Sequence, residues 1–225
     1  MSPNSILKRK VETSNGVGII EDLYITELGF LMMKIKFENK GVRYVNYNLG
    51  QADALLNSKE IKFNLSVSNK DSEKVSELLQ EKGVKPADKL VIVHPGSGGS
   101  SVDLPKEKMI ELTRKLSELK NVTTIITGSR NEAELCKEFE INKSIVNLAG
   151  QLNISLLKAL INKADLLISN STGPMHIAAA LGVYVLGFFP KILSCSQKRW
   201  GPYTNKKTIF IPTIDCSNST REQCE

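Results

Sequence analysis

The stretch Ile168-Ser169-Asn170-Ser171-Thr172-Gly173-Pro174-Met175-His176-Ile177-Ala178-Ala179-Ala180-Leu181-Gly182 decides the fold. The apolar run leading into it, Asp165 to Ile168, reads as a buried parallel strand. The strand stops at a cluster of small polar residues. A helix then begins at Pro174, since proline suits a first turn where its missing N–H would have no partner. Ser171 or Thr172 is placed to cap that helix. A strand end, a glycine turn and a helix N-terminus therefore meet at one point. Backbone N–H groups and the helix dipole converge there, an arrangement that suits a phosphate. His176 falls in the first turn, and the alanines behind it let the helix approach the sheet closely.

Working outward, residues 89 to 190 alternate strand and helix. Strands are expected at Lys89–His94, Val122–Thr127, Ile145–Leu148, Asp165–Ser169 and Val183–Phe189. Helices are expected at Pro105–Leu119, Asn131–Glu140, Ser155–Asn162 and Pro174–Leu181. Apolar strands alternating with helices imply a parallel sheet covered on both faces. Ligands of such sheets bind beyond the carboxyl ends of the strands. Five motifs fall there: His94-Pro95-Gly96-Ser97-Gly98-Gly99, Thr127-Gly128-Ser129-Arg130-Asn131-Glu132, Asn147-Leu148-Ala149-Gly150, Ser171-Thr172-Gly173-Pro174-Met175-His176 and Phe188-Phe189-Pro190.

In this order the five motifs resemble the donor half of glycosyltransferase family 9, the bacterial heptosyltransferases of lipopolysaccharide synthesis. The resemblance covers about Leu90 to Cys224, is thin from Gln51 to Asp88, and is not established before Gly50. It implies an α/β, Rossmann-like parallel sheet with helices on both faces, one half of a GT-B architecture. It also implies a cytoplasmic enzyme that binds a nucleotide-activated sugar, usually ADP-heptose, and transfers the sugar with inversion to a lipopolysaccharide-core or other glycan acceptor. Peripheral contact with the inner face of the bacterial inner membrane goes with that role.

The residues that would hold the donor follow from the motifs. Gly96, Ser97, Gly98, Gly99, Ser100 and Ser101 form a flexible polar turn whose glycines allow close backbone approach and whose hydroxyls donate to phosphate. The turn lacks the Lys-Ser/Thr ending of a P-loop. Thr172 and Gly173 offer backbone N–H groups to the phosphates, and Ser171 stands where the family commonly has an aspartate. Glu132 matches the family's ribose-binding glutamate, although a glutamate at a helix start is also favoured by the dipole alone. Leu152 either touches the base or packs in the core. The two histidines of the chain, His94 and His176, both sit in this region. His94 reads as a strand-end structural residue. His176, as a charged or donating imidazole, would stabilise the leaving diphosphate. Two departures weaken the expected activity. Val102 stands in a region where relatives have a phosphate-binding lysine, and Asp103 would repel a diphosphate. No general base is assignable. There is no Asp-x-Asp pair, so neither a metal nor a cofactor is expected.

Composition sets the remaining bounds. The 225 residues are 41% hydrophobic and 24% charged, values ordinary for a globular protein, and the net charge is +6. No apolar run is long enough to span a membrane. Cys136, Cys195, Cys216 and Cys224 lack a standard zinc spacing and read as reduced thiols. Lys191, Lys198, Arg199, Lys206 and Lys207 form a stretch without acidic residues, either a solvated loop or a positive rim for a diphosphate or anionic lipid. Nucleic acid is not expected, because aromatic interleaving is missing.

Residues 1–50 read as a small β-rich segment, a meander or barrel-like unit with strands at Lys8–Thr13, Val17–Ile20, Leu31–Phe37 and Val42–Tyr47. Residues 51–88 read as a connecting segment with a helix, and 89–225 as the nucleotide-sugar-binding domain. A family member would carry a Rossmann-like acceptor domain ahead of the donor domain, and residues 1–50 do not read as one. The chain is therefore expected to bind donor weakly and to turn over little. Two other readings stay open: a non-catalytic nucleotide-binding or protein-interaction module, and a nucleotide-sugar epimerase of related architecture.

Overall fold

The structure, a computed structural model, describes residues 65–213 throughout and, before them, the backbone of four strands between residues 10 and 47. The chain divides into two units, 1–62 and 63–225. In the first, β1 (Lys10–Thr13), β2 (Gly16–Ile25), β3 (Leu31–Phe37) and β4 (Gly41–Tyr47) pair antiparallel in chain order. The result is a meander, with no pairing that would close it into a barrel among the described strands. The turn signals placed β3 and β4 well. They cut β2 short, because a register shift between Ile20 and Asp22 lets the strand continue to Ile25. Such a shift is a β-bulge, which alternation alone does not reveal.

The second unit opens with α1 (Asn69–Glu81), whose Ser68 side chain caps it by accepting from the Asp71 N–H at 3.1 Å. There follow β5 (Lys89–His94), α2 (Lys106–Ser117), β6 (Val122–Ile126), α3 (Ala133–Lys137), β7 (Ile145–Asn147), α4 (Ile154–Lys163), β8 (Leu166–Asn170), α5 (Gly173–Ala180), β9 (Tyr184–Phe188), α6 (Gln197–Trp200) and β10 (Lys207–Phe210). The strands form one six-stranded parallel sheet in the order β10-β9-β8-β5-β6-β7. Successive residues of its central strands serve opposite faces. Ile92, Ile125 and Leu167 join a core built with Val75, Leu79, Leu160 and Met175, so α1, α4 and α5 cover that side. Val91, Val93, Ile126 and Ile168 join Met109, Cys136 and Phe139, so α2 and α3 cover the other. Burial on both faces is why β5 reads as an apolar run, Leu90 to Val93.

Three expectations change. The helix expected at Asn131–Glu140 is a single 3-10 turn, Arg130–Glu132, followed by the five-residue α3. β10 was not foreseen; it continues the sheet beside β9, with Lys207 opposite Val185 and Phe210 opposite Phe188. Helix α5 begins at Gly173, which puts Pro174 in its second position. A Cβ on Gly187 of β9 would lie 2.8 Å from the Met175 methyl carbon, which shows how closely α5 sits against the sheet. Among the described residues no helix is long and apolar enough to cross a membrane.

Candidate functional site

From β5 the chain winds outward through β6 and β7, then returns to the other side of β5 with β8, β9 and β10. The direction reverses between β5 and β8, where His94 pairs with Ser169. The loops leaving these two strands run to opposite faces, and the gap beyond their carboxyl ends is where an open α/β sheet binds its ligand. Here the gap is bounded by residues 95–105 on one side and by Ser171, Thr172 and the start of α5 on the other.

The loop after β5 is held in place, contrary to the flexible turn its composition suggests. Gly98 and Gly99 have φ of +57° and +78°, a conformation that favours glycine. The Ser97 hydroxyl is turned inward and accepts from the Ser101 N–H at 3.3 Å. The Ser100 hydroxyl donates to the Ser171 carbonyl at 3.2 Å, joining the two walls of the gap. The Gly98 N–H donates to Glu132 Oε1 at 3.0 Å. The Asn170 side chain, fully buried, donates to the Pro95 carbonyl and accepts from the Leu104 N–H at 2.9 Å. Gly98, Gly99 and Ser100 form the exposed tip.

Glu132 comes from the loop after β6. It completes a capping box with Ser129, whose N–H donates to Oε2 at 2.8 Å. Its carboxylate thus bridges the loops of β5 and β6. Gly96 is required beneath it, because a Cβ there would overlap Oε1. Gly128 is required in the same way against the Cys136 sulfur. Burial by itself raises the Glu132 carboxyl. The Ser129 N–H and hydroxyl, the neighbouring His94 ring and the Gly98 N–H outweigh burial and hold it below the usual carboxylate range. His94 is buried with Nδ1 2.9 Å from the Thr127 hydroxyl. Burial pushes its imidazole below the ordinary value, and the Glu132 charge only partly offsets this. Burial, aided by Glu132, pushes the Cys136 thiol up to about 12, where it is unreactive.

At the facing wall, Thr172 is the N-cap of α5 in an extended conformation, and no side chain caps the helix. The expectation that Ser171 or Thr172 would do so is therefore corrected. Pro174 has no N–H and the Met175 N–H donates to the Thr172 carbonyl at 3.2 Å, so the start offers the Gly173 N–H and the helix's N-terminal partial charge. Gly173 presents open space: a Cβ there would have no heavy atom within 4 Å. His176 is part-exposed yet densely surrounded, and burial lowers its pKa to about 4. Of the two states foreseen for it, the charged one is therefore absent at neutral pH, which leaves a neutral ring.

Two further candidates are Leu152 and the basic stretch. Leu152 packs, half-buried, against the core behind the sheet. In the basic stretch, Lys191 donates to the Thr213 carbonyl, Lys206 to that of Gly182 and Lys207 to that of Pro202. These three ammonium groups thus tie down carbonyls near β9 and β10. Arg199 lies over the Trp200 ring at 5.4 Å. Cys136 and Cys195 are free thiols. Cys216 and Cys224 lie outside the described residues. Sequence reasoning gave no role to Asn170, whose only signal was an amide ending an otherwise apolar strand.

A sequence profile of glycosyltransferase family 9 (heptosyltransferase) matches residues 42–225, most of the chain. A Haemophilus influenzae protein provisionally assigned as a glycosyltransferase is 31% identical over 146 residues, covering 60% of this chain and 40% of its own length. Lipopolysaccharide heptosyltransferase 1 of Campylobacter coli is 28% identical over 151 residues, covering 64% of this chain and 44% of its own. The structure of E. coli ADP-heptose lipopolysaccharide heptosyltransferase II superposes with a TM-score of 0.57 and 20% identity, over 68% of this chain and 46% of that one. The chain thus spans less than half the length of each of these relatives. The structural likeness shows a shared fold, the Rossmann-like half of a GT-B glycosyltransferase.

Proposed function

Because the chain belongs to glycosyltransferase family 9, we propose that the gap between β5 and β8 binds the donor of a glycosyl transfer. The donor is a nucleotide-activated sugar, ADP-linked and heptose-like, and the acceptor is of the lipopolysaccharide-core type. The reading of donor and acceptor draws on the names of the relatives, ADP-heptose lipopolysaccharide heptosyltransferase II and lipopolysaccharide heptosyltransferase 1. The observation that carries it is the uncapped start of α5 facing the glycine-serine loop across the sheet's switch point. A diphosphate placed there would accept from backbone N–H groups on both walls. Glu132, already ionised and oriented, has lone pairs left for ribose hydroxyls.

In the chemistry we propose, the acceptor hydroxyl attacks the anomeric carbon from the face opposite the diphosphate, and the configuration inverts. The bond from the anomeric carbon to the diphosphate oxygen breaks, and ADP leaves with the electron pair. Charge grows on the leaving oxygen as the bond breaks, so donors already in place there lower the barrier. The Gly173 N–H at the start of α5 supplies such a donor, and the His176 ring lies in the same helix turn. The acceptor's proton passes to bulk water, since no described residue is assigned as its base. The test is an assay of ADP release from ADP-heptose, with and without a deacylated lipopolysaccharide core, alongside calorimetric titration of ADP. Binding of ADP together with acceptor-dependent release supports the reading. Binding without release supports a donor-binding module, and absence of binding removes the site.

A further inference from the structure

The tip of the loop after β5 is Gly98-Gly99-Ser100, with no apolar side chain to pack, so polar ties set its shape. Glu132 holds the tip through Gly98, and Ser100 reaches the opposite wall. Asn170 bonds both ends of the loop: Nδ2 donates to the Pro95 carbonyl at 2.5 Å, and Oδ1 accepts from the Leu104 N–H at 2.9 Å. The partners dictate how the amide is turned, since a carbonyl only accepts and an N–H only donates. An aspartate would lack the donor, and a serine would be too short to span both ends. Asn170 ends β8 three residues before Gly173, the first residue of α5. One buried side chain therefore sets the register between the loop and the helix start, the two walls that would share a diphosphate.

We propose that Asn170 is a positioning residue that holds the β5 loop in its anion-ready shape and so governs affinity for the diphosphate part of a nucleotide. This rests on the nucleotide reading above. Asn170 itself is fully buried and does not touch the ligand. Its effect is therefore confined to groups the loop contacts: phosphates feel it, and the nucleoside does not.

The test compares the parent chain with Asn170→Ala and Asn170→Asp, titrated calorimetrically with ADP and with adenosine, with thermal unfolding as the control for folding. The expected result is a fall in ADP affinity of about tenfold or more, equivalent to at least ~1.4 kcal/mol, with adenosine affinity unchanged. Hydrogen exchange supplies a ligand-free readout: amides between Gly98 and Leu104 exchange faster in the variants, while those of β5 and β8 keep their protection. Where Asn170→Ala does not fold, Asn170→Ser takes its place. Folded variants that bind ADP as the parent does, or that lose ADP and adenosine in equal proportion, overturn the proposal. A parent chain that binds neither ligand refutes the nucleotide reading instead. The exchange result then decides the clamp alone, and unchanged loop protection overturns it.

Discussion

Replacing Gly173 by valine separates binding from folding. Gly173 is the first residue of α5, and a Cβ there meets no heavy atom within 4 Å. Its φ lies outside the left-handed region, so a side chain adds no backbone strain. Within helices valine is disfavoured against alanine by up to ~0.7 kcal/mol and glycine by about 1 kcal/mol, so the exchange is close to neutral for stability. Binding is another matter. The isopropyl group would fill the space through which a phosphate at the proposed site would reach the Gly173 N–H. Pro174 has no N–H and the Met175 N–H already donates to the Thr172 carbonyl at 3.2 Å, so the Gly173 N–H is the donor at stake, and a hydrogen bond to a charged group contributes roughly 1.5–3 kcal/mol. That is roughly a 10- to 10²-fold loss of ADP affinity. The assay pairs thermal unfolding with calorimetric titration of ADP. An unchanged melting temperature with ADP affinity weakened by about that factor is the expected result. A folded variant with parental ADP affinity would show that no phosphate lies at this helix start.

The remaining expectations concern Glu132, His176 and salt. Glu132→Gln lowers the urea midpoint at neutral pH. Because the folded carboxyl is held below its ordinary range, its contribution is present above that range and lost as pH falls through the folded value. Parent and variant curves therefore converge in acid, and curves that stay parallel contradict the bridge between the loops. Gly96→Ala pushes the same carboxylate off the Gly98 N–H and destabilises by about 1–3 kcal/mol in urea unfolding; it is non-additive with Glu132→Gln in a double-mutant cycle. The His176 imidazole, followed by NMR, titrates near 4. Its folded pKa lies below its unfolded one, so the stability it gives is full above about pH 6.5 and lost as pH falls toward the folded value. Imidazole resonances that titrate at the ordinary value would restore a charged His176. ADP affinity weakens less than about tenfold between low and high salt, since the screening of separated charges bears little on short hydrogen bonds. A steeper slope would point to lysine contacts.

How much was legible depended on the range of the interaction. β5 matches its expected bounds, Lys89–His94, because a strand buried on both faces writes itself as a run of apolar residues. Helices α2 and α4 came within two residues of expectation for a similar reason, each showing an apolar stripe. The segment after β6 carries charges and no clear stripe, and only its capping box determines where it starts. β10 has four residues, follows a basic loop, and alternates exposure because it lies at the sheet edge. The rigidity of the β5 loop was not legible. Its composition says flexible, but the atoms that hold it belong to Glu132, Asn170 and Ser171, which are 34 to 75 residues from their partners in the chain. A local reading also assigned Ser171 or Thr172 to capping α5, since such residues favour that position. In the fold the Ser171 carbonyl accepts from Ser100, and the helix start stays open.

The charges around the gap point the same way. Val102 brings no positive charge to the β5 loop, Ser171 brings none of either sign, and burial lowers the His176 pKa to about 4. Three lysines of the basic stretch are engaged with carbonyls near β9 and β10. What the gap offers an anion is oriented backbone: the left-handed Gly99 and the Gly173 N–H at the start of α5, while the Gly98 N–H is engaged by Glu132. A mobile lysine finds its ligand by charge and adjusts to it. Backbone N–H groups do not adjust, so their value depends on their being in place before the ligand arrives. This is why side chains that do not themselves form the anion cradle, Asn170 at the ends of the loop and Glu132 across its tip, bear on the site as much as the groups that would touch a phosphate.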